Sequence, residues 1–148
     1  LSGTVQEIEK AETLAKAQGA KRAVKLDVAG AFHSPLMQPA AEAFKEALAK
    51  VEIRQPVFPV ISNVTGEPVS DPGKIRELLV KQIVRPVRWE TSMRSALQAG
   101  ATHFIEFPPA RVLTDLLRRI EKSATGIPVN TPDDFTKVAD ALEIPLSI

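Results

Sequence analysis

Apolar residues recur along this chain in two alternating periods. Between residues 4 and 18, Val5, Ile8, Ala11, Leu14 and Ala15 fall at three- and four-residue intervals, the spacing of one apolar helix stripe. Thr4 and Glu7 have the capping-box separation at its start, and Gly19 supplies a C-terminal stop. Residues 21–28 interleave charged side chains with Ala23, Val24, Leu26 and Val28, which predicts a half-buried strand. The helical period returns over residues 36–51, with Leu36, Ala40, Phe44, Ala47, Leu48 and Val51 as its core face. Residues 57–61 are an apolar run of strand length, and Asn63, Thr65, Gly66 and Pro68 punctuate a loop after it. Asp71 and Pro72 open a helix that aligns Ile75, Leu78, Leu79 and Ile83, and Pro86 breaks it. Trp89, Met93, Ala96 and Leu97 mark another, stopped by Gly100. A strand at 102–107, a turn at Pro108-Pro109 and a helix carrying Val112, Leu113, Leu116, Leu117 and Ile120 come next. A strand at 127–130 and a capped helix at 131–142 follow. Strands alternating with helices predict an α/β fold with a largely parallel sheet.

Composition narrows the function classes. A chain of 148 residues suits one domain and buries about 70% of its unfolded surface. A net charge of +1 gives no electrostatic reason to expect nucleic acid, and no apolar window reaches transmembrane length or the form of a signal peptide. The absence of cysteine excludes disulfides, thiolate catalysis and cysteine-ligated zinc, and fits a cytoplasmic location. The two histidines, His33 and His103, are far apart in sequence, so no metal site is expected. Leu1-Ser2-Gly3 reads as the tail of a strand that begins upstream, which suggests a processed or truncated chain.

The stretch Ala29-Gly30-Ala31-Phe32-His33-Ser34-Pro35-Leu36-Met37 joins the predicted strand to the predicted helix. Gly30 allows backbone angles closed to other residues, and Pro35 suits a first helical turn. A histidine in a strand-to-helix loop is a natural proton carrier, because its unperturbed pKa of about 6.5 lies near neutrality. A hydrogen-bonded structural histidine satisfies the same spacing. Ser34 and Ser92 lie outside any Gly-x-Ser-x-Gly elbow and are not read as nucleophiles, Ser92 being expected as a surface hydroxyl. His103, at the start of a strand, is read as structural. Asn63 either lines a site at a strand end or satisfies the turn backbone, and the second is preferred.

Ala31-Phe32-His33-Ser34-Pro35-Leu36-Met37, followed by Pro39-Ala40, resembles the active-site histidine segment of malonyl-CoA:acyl carrier protein transacylases and related polyketide acyltransferase domains. Three later segments resemble the same family in the same order. They are Pro59-Val60-Ile61-Ser62-Asn63-Val64-Thr65-Gly66, Leu79-Val80-Lys81-Gln82-Ile83 with Pro86-Val87-Arg88-Trp89, and Val112-Leu113-Thr114. The likeness covers about residues 1–125.

The resemblance implies the C-terminal part of an α/β-hydrolase-like acyltransferase domain. Residues 1–30 would be the end of a ferredoxin-like small subdomain, and residues 31–148 part of the large α/β subdomain. It implies transfer of malonyl from coenzyme A to the phosphopantetheine thiol of acyl carrier protein, in fatty acid biosynthesis, with malonyl-CoA as substrate and no cofactor. His33 would be the catalytic base, held by the main-chain carbonyl at Gln82. Phe32 would contact substrate, its ring excluding branched acyl groups by volume or simply anchoring its loop in the core; Asn63 is the second candidate substrate contact on the strand-end reading given above. The nucleophilic serine, the arginine for the malonyl carboxylate and an oxyanion glutamine would lie in an N-terminal half, so the chain alone is expected to lack turnover. Partners would be that half, a coenzyme A thioester and acyl carrier protein, with no nucleic acid or membrane. Two rival readings are a non-catalytic module that binds carrier protein and a trans-acting polyketide synthase acyltransferase. The loop Phe107-Pro108-Pro109-Ala110-Arg111 lacks both glycines of the family pattern, which puts its shape and any carrier-protein contact in doubt. Arg111, Arg118, Arg119 and Lys122 form either a patch for an acidic carrier protein or a solvated helix face.

Overall fold

The computed structural model describes residues 1–109 and 111–145, so Ala110, within the loop singled out above, lies outside the described residues. Among the described residues six α-helices are joined by irregular segments and two short sheets, and the chain divides into two compact units, Leu1–Arg88 and a second from Trp89 onward. The expected boundary after residue 30 falls inside the first unit.

In the first unit, α1 (Val5–Ala17) starts at Thr4, whose side chain and that of Glu7 form the reciprocal capping box, and Gly19 follows it with φ 87°. Residues 21–28 do not form the expected strand. Their alternation is present, but a strand exists only where a neighbour takes its N–H and C=O groups, and among the described residues none does. Val24, Val28 and Leu26 (72% exposed) consequently stand in solvent.

The helix expected over 36–51 is split. A 3₁₀ turn, Pro35–Met37, precedes α2 (Gln38–Ala49), because Ser34 caps the turn through the Leu36 N–H. Ala41 and Leu48 are the buried positions of α2, whereas Ala40, Ala47, Leu36 and Val51 are exposed. The apolar stripe is therefore rotated from the expected one. Only Val60–Ile61 of the 57–61 run is extended; this strand, β1, pairs antiparallel with β2 (Pro68–Val69) around a turn containing Gly66 at φ 75°.

Asp71 Oδ1 accepts from the Lys74 N–H at 2.6 Å and starts α3 (Pro72–Lys81), which buries Ile75 and Leu78. Glu77 on its outer face bonds Lys81 and Lys74, which hold its carboxyl at about 2. Arg76 ties α3 to α2: its guanidinium donates to the carbonyls of Leu48 and Val51, the latter at 2.7 Å. These carbonyls lie at and just past the end of α2, where Leu48 O also takes the Val51 N–H and the Val51 carbonyl is beyond the helical ladder. Arg76→Ala is expected to destabilise the first unit by about 1–3 kcal/mol, as loss of a charged donor does. Arg76→Lys should recover only part of this, because one ammonium lacks the guanidinium fork. Amide exchange across α2 would measure both.

In the second unit, α4 (Trp89–Gln98) ends before Gly100, whose φ is 91°. Strand β3 (His103–Glu106) pairs with β4 (Thr125–Pro128) in parallel register, Ile105 opposite Ile127. Helix α5 (Val112–Ile120) crosses between them. Gly126 permits that packing, since a Cβ there would lie 2.9 Å from Thr114 Cγ2. A second 3₁₀ turn, Pro132–Asp134, capped by Thr131 and Asp134, leads into α6 (Phe135–Leu142). Ile127, Val129 and Val138 form a small core.

The fold is mixed helix and strand as expected, but the described residues carry two two-stranded sheets, one antiparallel, instead of one largely parallel sheet. The reason is again the missing strand neighbours. No described helix is long and apolar enough to cross a membrane.

Candidate functional site

The site is built where the loop before α2 meets the end of α3. His33 sits between Ala31 and the Ser34 cap with φ 60°, in the left-handed region that histidine enters more readily than most side chains. Gly30 is not the strained position: a Cβ there would make only ordinary contacts, 3.8 Å from Met37 Sδ and Phe32 Cζ. The turn is fixed instead by buried Ser34, whose Oγ donates to the Ala31 carbonyl at 2.6 Å and accepts from the Leu36 N–H. Ser34 is thus occupied in holding the loop.

His33 Nδ1 lies 2.7 Å from the main-chain carbonyl of Gln82, 49 residues away in sequence. A carbonyl oxygen only accepts, so Nδ1 carries the proton, and in the neutral ring Nε2 is the free acceptor. Gln82 is the C-cap of α3, where a carbonyl outside the helical ladder is open to such a donor. Its side chain is also engaged, since Asn63 Nδ2 donates to Gln82 Oε1 at 3.1 Å.

The preferred reading of Asn63 as a turn residue does not match this geometry. Ser62 Oγ and Thr65 Oγ1 take the N–H groups of Val64 and Glu67 in that turn, and the Asn63 amide reaches across to Gln82. Phe32 is 48% exposed beside His33, so it is not a core anchor. Thus His33, Gln82 and Asn63 form one hydrogen-bonded chain, with Phe32 next to it in sequence.

The other candidates fall elsewhere. His103 is exposed at the start of β3, its Nδ1 2.9 Å from Thr102 Oγ1. Ser92, expected at the surface, is 3% exposed and is the buried position of α4. Arg111, Arg118, Arg119 and Lys122 are all exposed. Among the described residues no group of three or more metal-ligating side chains comes together.

Two features of the second unit went unread in the sequence. A cavity of about 190 Å³ is lined by Trp89, Met93, Phe104, Ile105, Leu113 and Leu117. At its margin Glu106 is 7% exposed, and its carboxylate accepts from the N–H groups of Leu113 (2.9 Å) and Thr114 (2.8 Å) at the start of α5. Burial raises the pKa of Glu106, but the main-chain donors of Leu113, Thr114 and Arg111 and the Thr114 hydroxyl outweigh it and hold the carboxyl below its ordinary range. Both oxygens are committed to α5, which leaves this cavity apolar and without a proton carrier.

Comparison with known proteins adds a family likeness to this geometry. The acyl transferase domain family matches residues 1–132. The malonyl CoA-acyl carrier protein transacylase of Bacillus subtilis (strain 168) is 42% identical over 143 residues, covering 97% of this chain and 45% of that protein. The crystal structure of acyl-carrier-protein-S-malonyltransferase from Bartonella henselae superposes with a TM-score of 0.89 at 39% identity, covering 96% of this chain and 45% of that one. A malonyl-transacylase solved in complex with a type II PKS acyl-carrier protein superposes at 0.88 with 34% identity, covering 94% of this chain and 45% of that one. The chain therefore spans less than half the length of these relatives.

Proposed function

This chain belongs to the acyl transferase domain family, and from that membership we propose that it serves malonyl transfer from coenzyme A to the phosphopantetheine thiol of acyl carrier protein in fatty acid biosynthesis, with His33 as the base. The observation that carries the proposal is the 2.7 Å bond from His33 Nδ1 to the Gln82 carbonyl, which leaves Nε2 to accept a proton.

On this reading a serine hydroxyl attacks the malonyl thioester carbonyl while Nε2 takes its proton. The C–S bond then breaks, and the departing thiolate receives that proton. In the second half-reaction the pantetheine thiol gives its proton to Nε2, its sulfur attacks the malonyl-serine ester, and the serine oxygen leaves with the proton. This sequence holds no Gly-x-Ser-x-Gly; the serine is assigned to the larger part of the domain outside the matched region. Phe32 would limit the acyl group by volume, a selection worth about 1–3 kcal/mol. The exposed Arg111, Arg118, Arg119 and Lys122 would attract an acidic carrier protein.

The same reading explains the unpaired segments. Residues 1–30 would close a ferredoxin-like small subdomain, in which 21–28 would gain the strand neighbour their alternation asks for. Residues 31–148 would belong to an α/β-hydrolase-like one. The hydrogen bonds from Thr125 and Val129 to Thr102 and Glu106 turn His103 and Ile105 toward the open edge of β3. On β4 the outer edge ends at Pro128, which has no N–H to offer. A further parallel strand would therefore add at β3.

The test is an assay of labelled malonyl transfer to holo acyl carrier protein. It compares this chain alone with the chain plus the part of the Bacillus subtilis transacylase that it does not match. Transfer by the mixture and none by the chain alone is expected. A complex of the two that forms but transfers nothing would overturn the proposal.

A further inference from the structure

We propose that Asn63 is a positioning residue that fixes the proton on His33 through Gln82, without touching substrate; its catalytic meaning rests on His33 being the base. Past the end of α3 the chain turns, and Ile83 N–H and Val84 N–H take the carbonyls of Val80 and Lys81. The Gln82 carbonyl is the one that meets His33 Nδ1. Its direction depends on how residues 82–88 are held.

Asn63 holds that segment at both ends. Its side chain donates to Gln82 Oε1 at 3.1 Å, and its main-chain carbonyl accepts from the Arg88 N–H at 2.8 Å. Asn63 can serve as a clasp because its own turn is closed without its side chain, by Ser62 N–H to Glu67 O, Gly66 N–H to Ser62 O, and the Ser62 and Thr65 hydroxyls. Asn63 and Gln82 are 19 residues apart, and neither has a local reason for this geometry. A neutral imidazole in water favours the proton on Nε2, so an oriented carbonyl at Nδ1 is needed to hold the opposite tautomer. A loose Gln82 would give a mixture.

The tautomer of His33 can be read directly in this chain from imidazole ¹⁵N shifts at about pH 8, with amide spectra reporting the fold. The wild type is expected to show a protonated Nδ1 and a bare Nε2. Asn63→Leu and Gln82→Ala should each lose that pattern toward a tautomer mixture. The double variant should go no further than the larger single one, because both remove the same bond. Asn63→Asp should keep the wild-type pattern, since the Gln82 amide can turn its NH₂ toward the carboxylate. Should Asn63→Leu not fold, Asn63→Ser takes its place.

Folded variants that retain the wild-type tautomer would overturn the proposal. So would additive effects, or a shift in Gln82→Ala alone. A tautomer controlled by Asn63 in a mixture that transfers no malonyl would remove the base role of His33 and leave the positioning role standing.

Discussion

His33→Ala, in the mixture that transfers malonyl, should lower kcat by at least about 10²–10⁴-fold, the contribution of a positioned proton carrier. The loss should fall on kcat, because the imidazole moves a proton and does not hold the malonyl group. Alanine at φ 60° also carries a backbone cost of about 1–2 kcal/mol, so a fall in activity could come from a disturbed loop. His33→Asn separates the two effects. Asparagine tolerates the left-handed conformation and can still donate to the Gln82 carbonyl, but its amide is no base. Both variants should therefore lose transfer, and His33→Asn should keep the loop. Activity within tenfold of wild type in His33→Asn would remove His33 from the mechanism.

Helices were legible in the sequence because their signals are local. The caps at Thr4, Asp71 and Thr131 lie within three or four residues of the groups they satisfy. Of the strands, those expected at 102–107 and 127–130 appear as β3 and, two residues earlier, β4, but the one at 21–28 does not form. Residues 21–28 have the right alternation, yet pairing is decided by a partner that the alternation does not name. The position of His33 in a strand-to-helix loop suggested a proton carrier, but only the likeness to a family pointed to Gln82, since no local pattern links residues 49 apart. The bond from Asn63 to Gln82 had no such guide and was misread as a turn contact.

Ser92 is a different kind of miss. Positions 89, 92, 93 and 96 share one helical stripe, so the period already placed Ser92 inside with Trp89 and Met93. Its hydroxyl drew the reading toward the surface. Glu106 was unreadable for want of a rule, because capping-box arithmetic looks three residues away. Its carboxylate serves N–H groups seven and eight residues on, across the turn at Pro108-Pro109.

That carboxylate is expected to be among the most consequential side chains of the second unit. Helix α5 begins after Arg111, which has φ 114° and makes no side-chain cap, so the Leu113 and Thr114 N–H groups depend on Glu106. Glu106→Ala should cost about 2–3 kcal/mol, since two hydrogen bonds to a charged, buried carboxylate are lost at the start of α5. The single tryptophan, Trp89, lines the neighbouring cavity, so urea unfolding followed by its fluorescence reports this unit. The cost should depend on pH in one direction. The folded pKa of Glu106 lies below the ordinary 4.5, so its contribution is complete above that value and is lost as the pH falls through the folded pKa. Wild type and Glu106→Ala should therefore differ most at neutral pH and converge in acid. Glu106→Gln, which keeps an acceptor but not the charge, should lie between them at pH 7 and show little of the pH dependence. A gap between wild type and Glu106→Ala that stays constant into acid would mean that packing, not the ionised carboxylate, holds the start of α5.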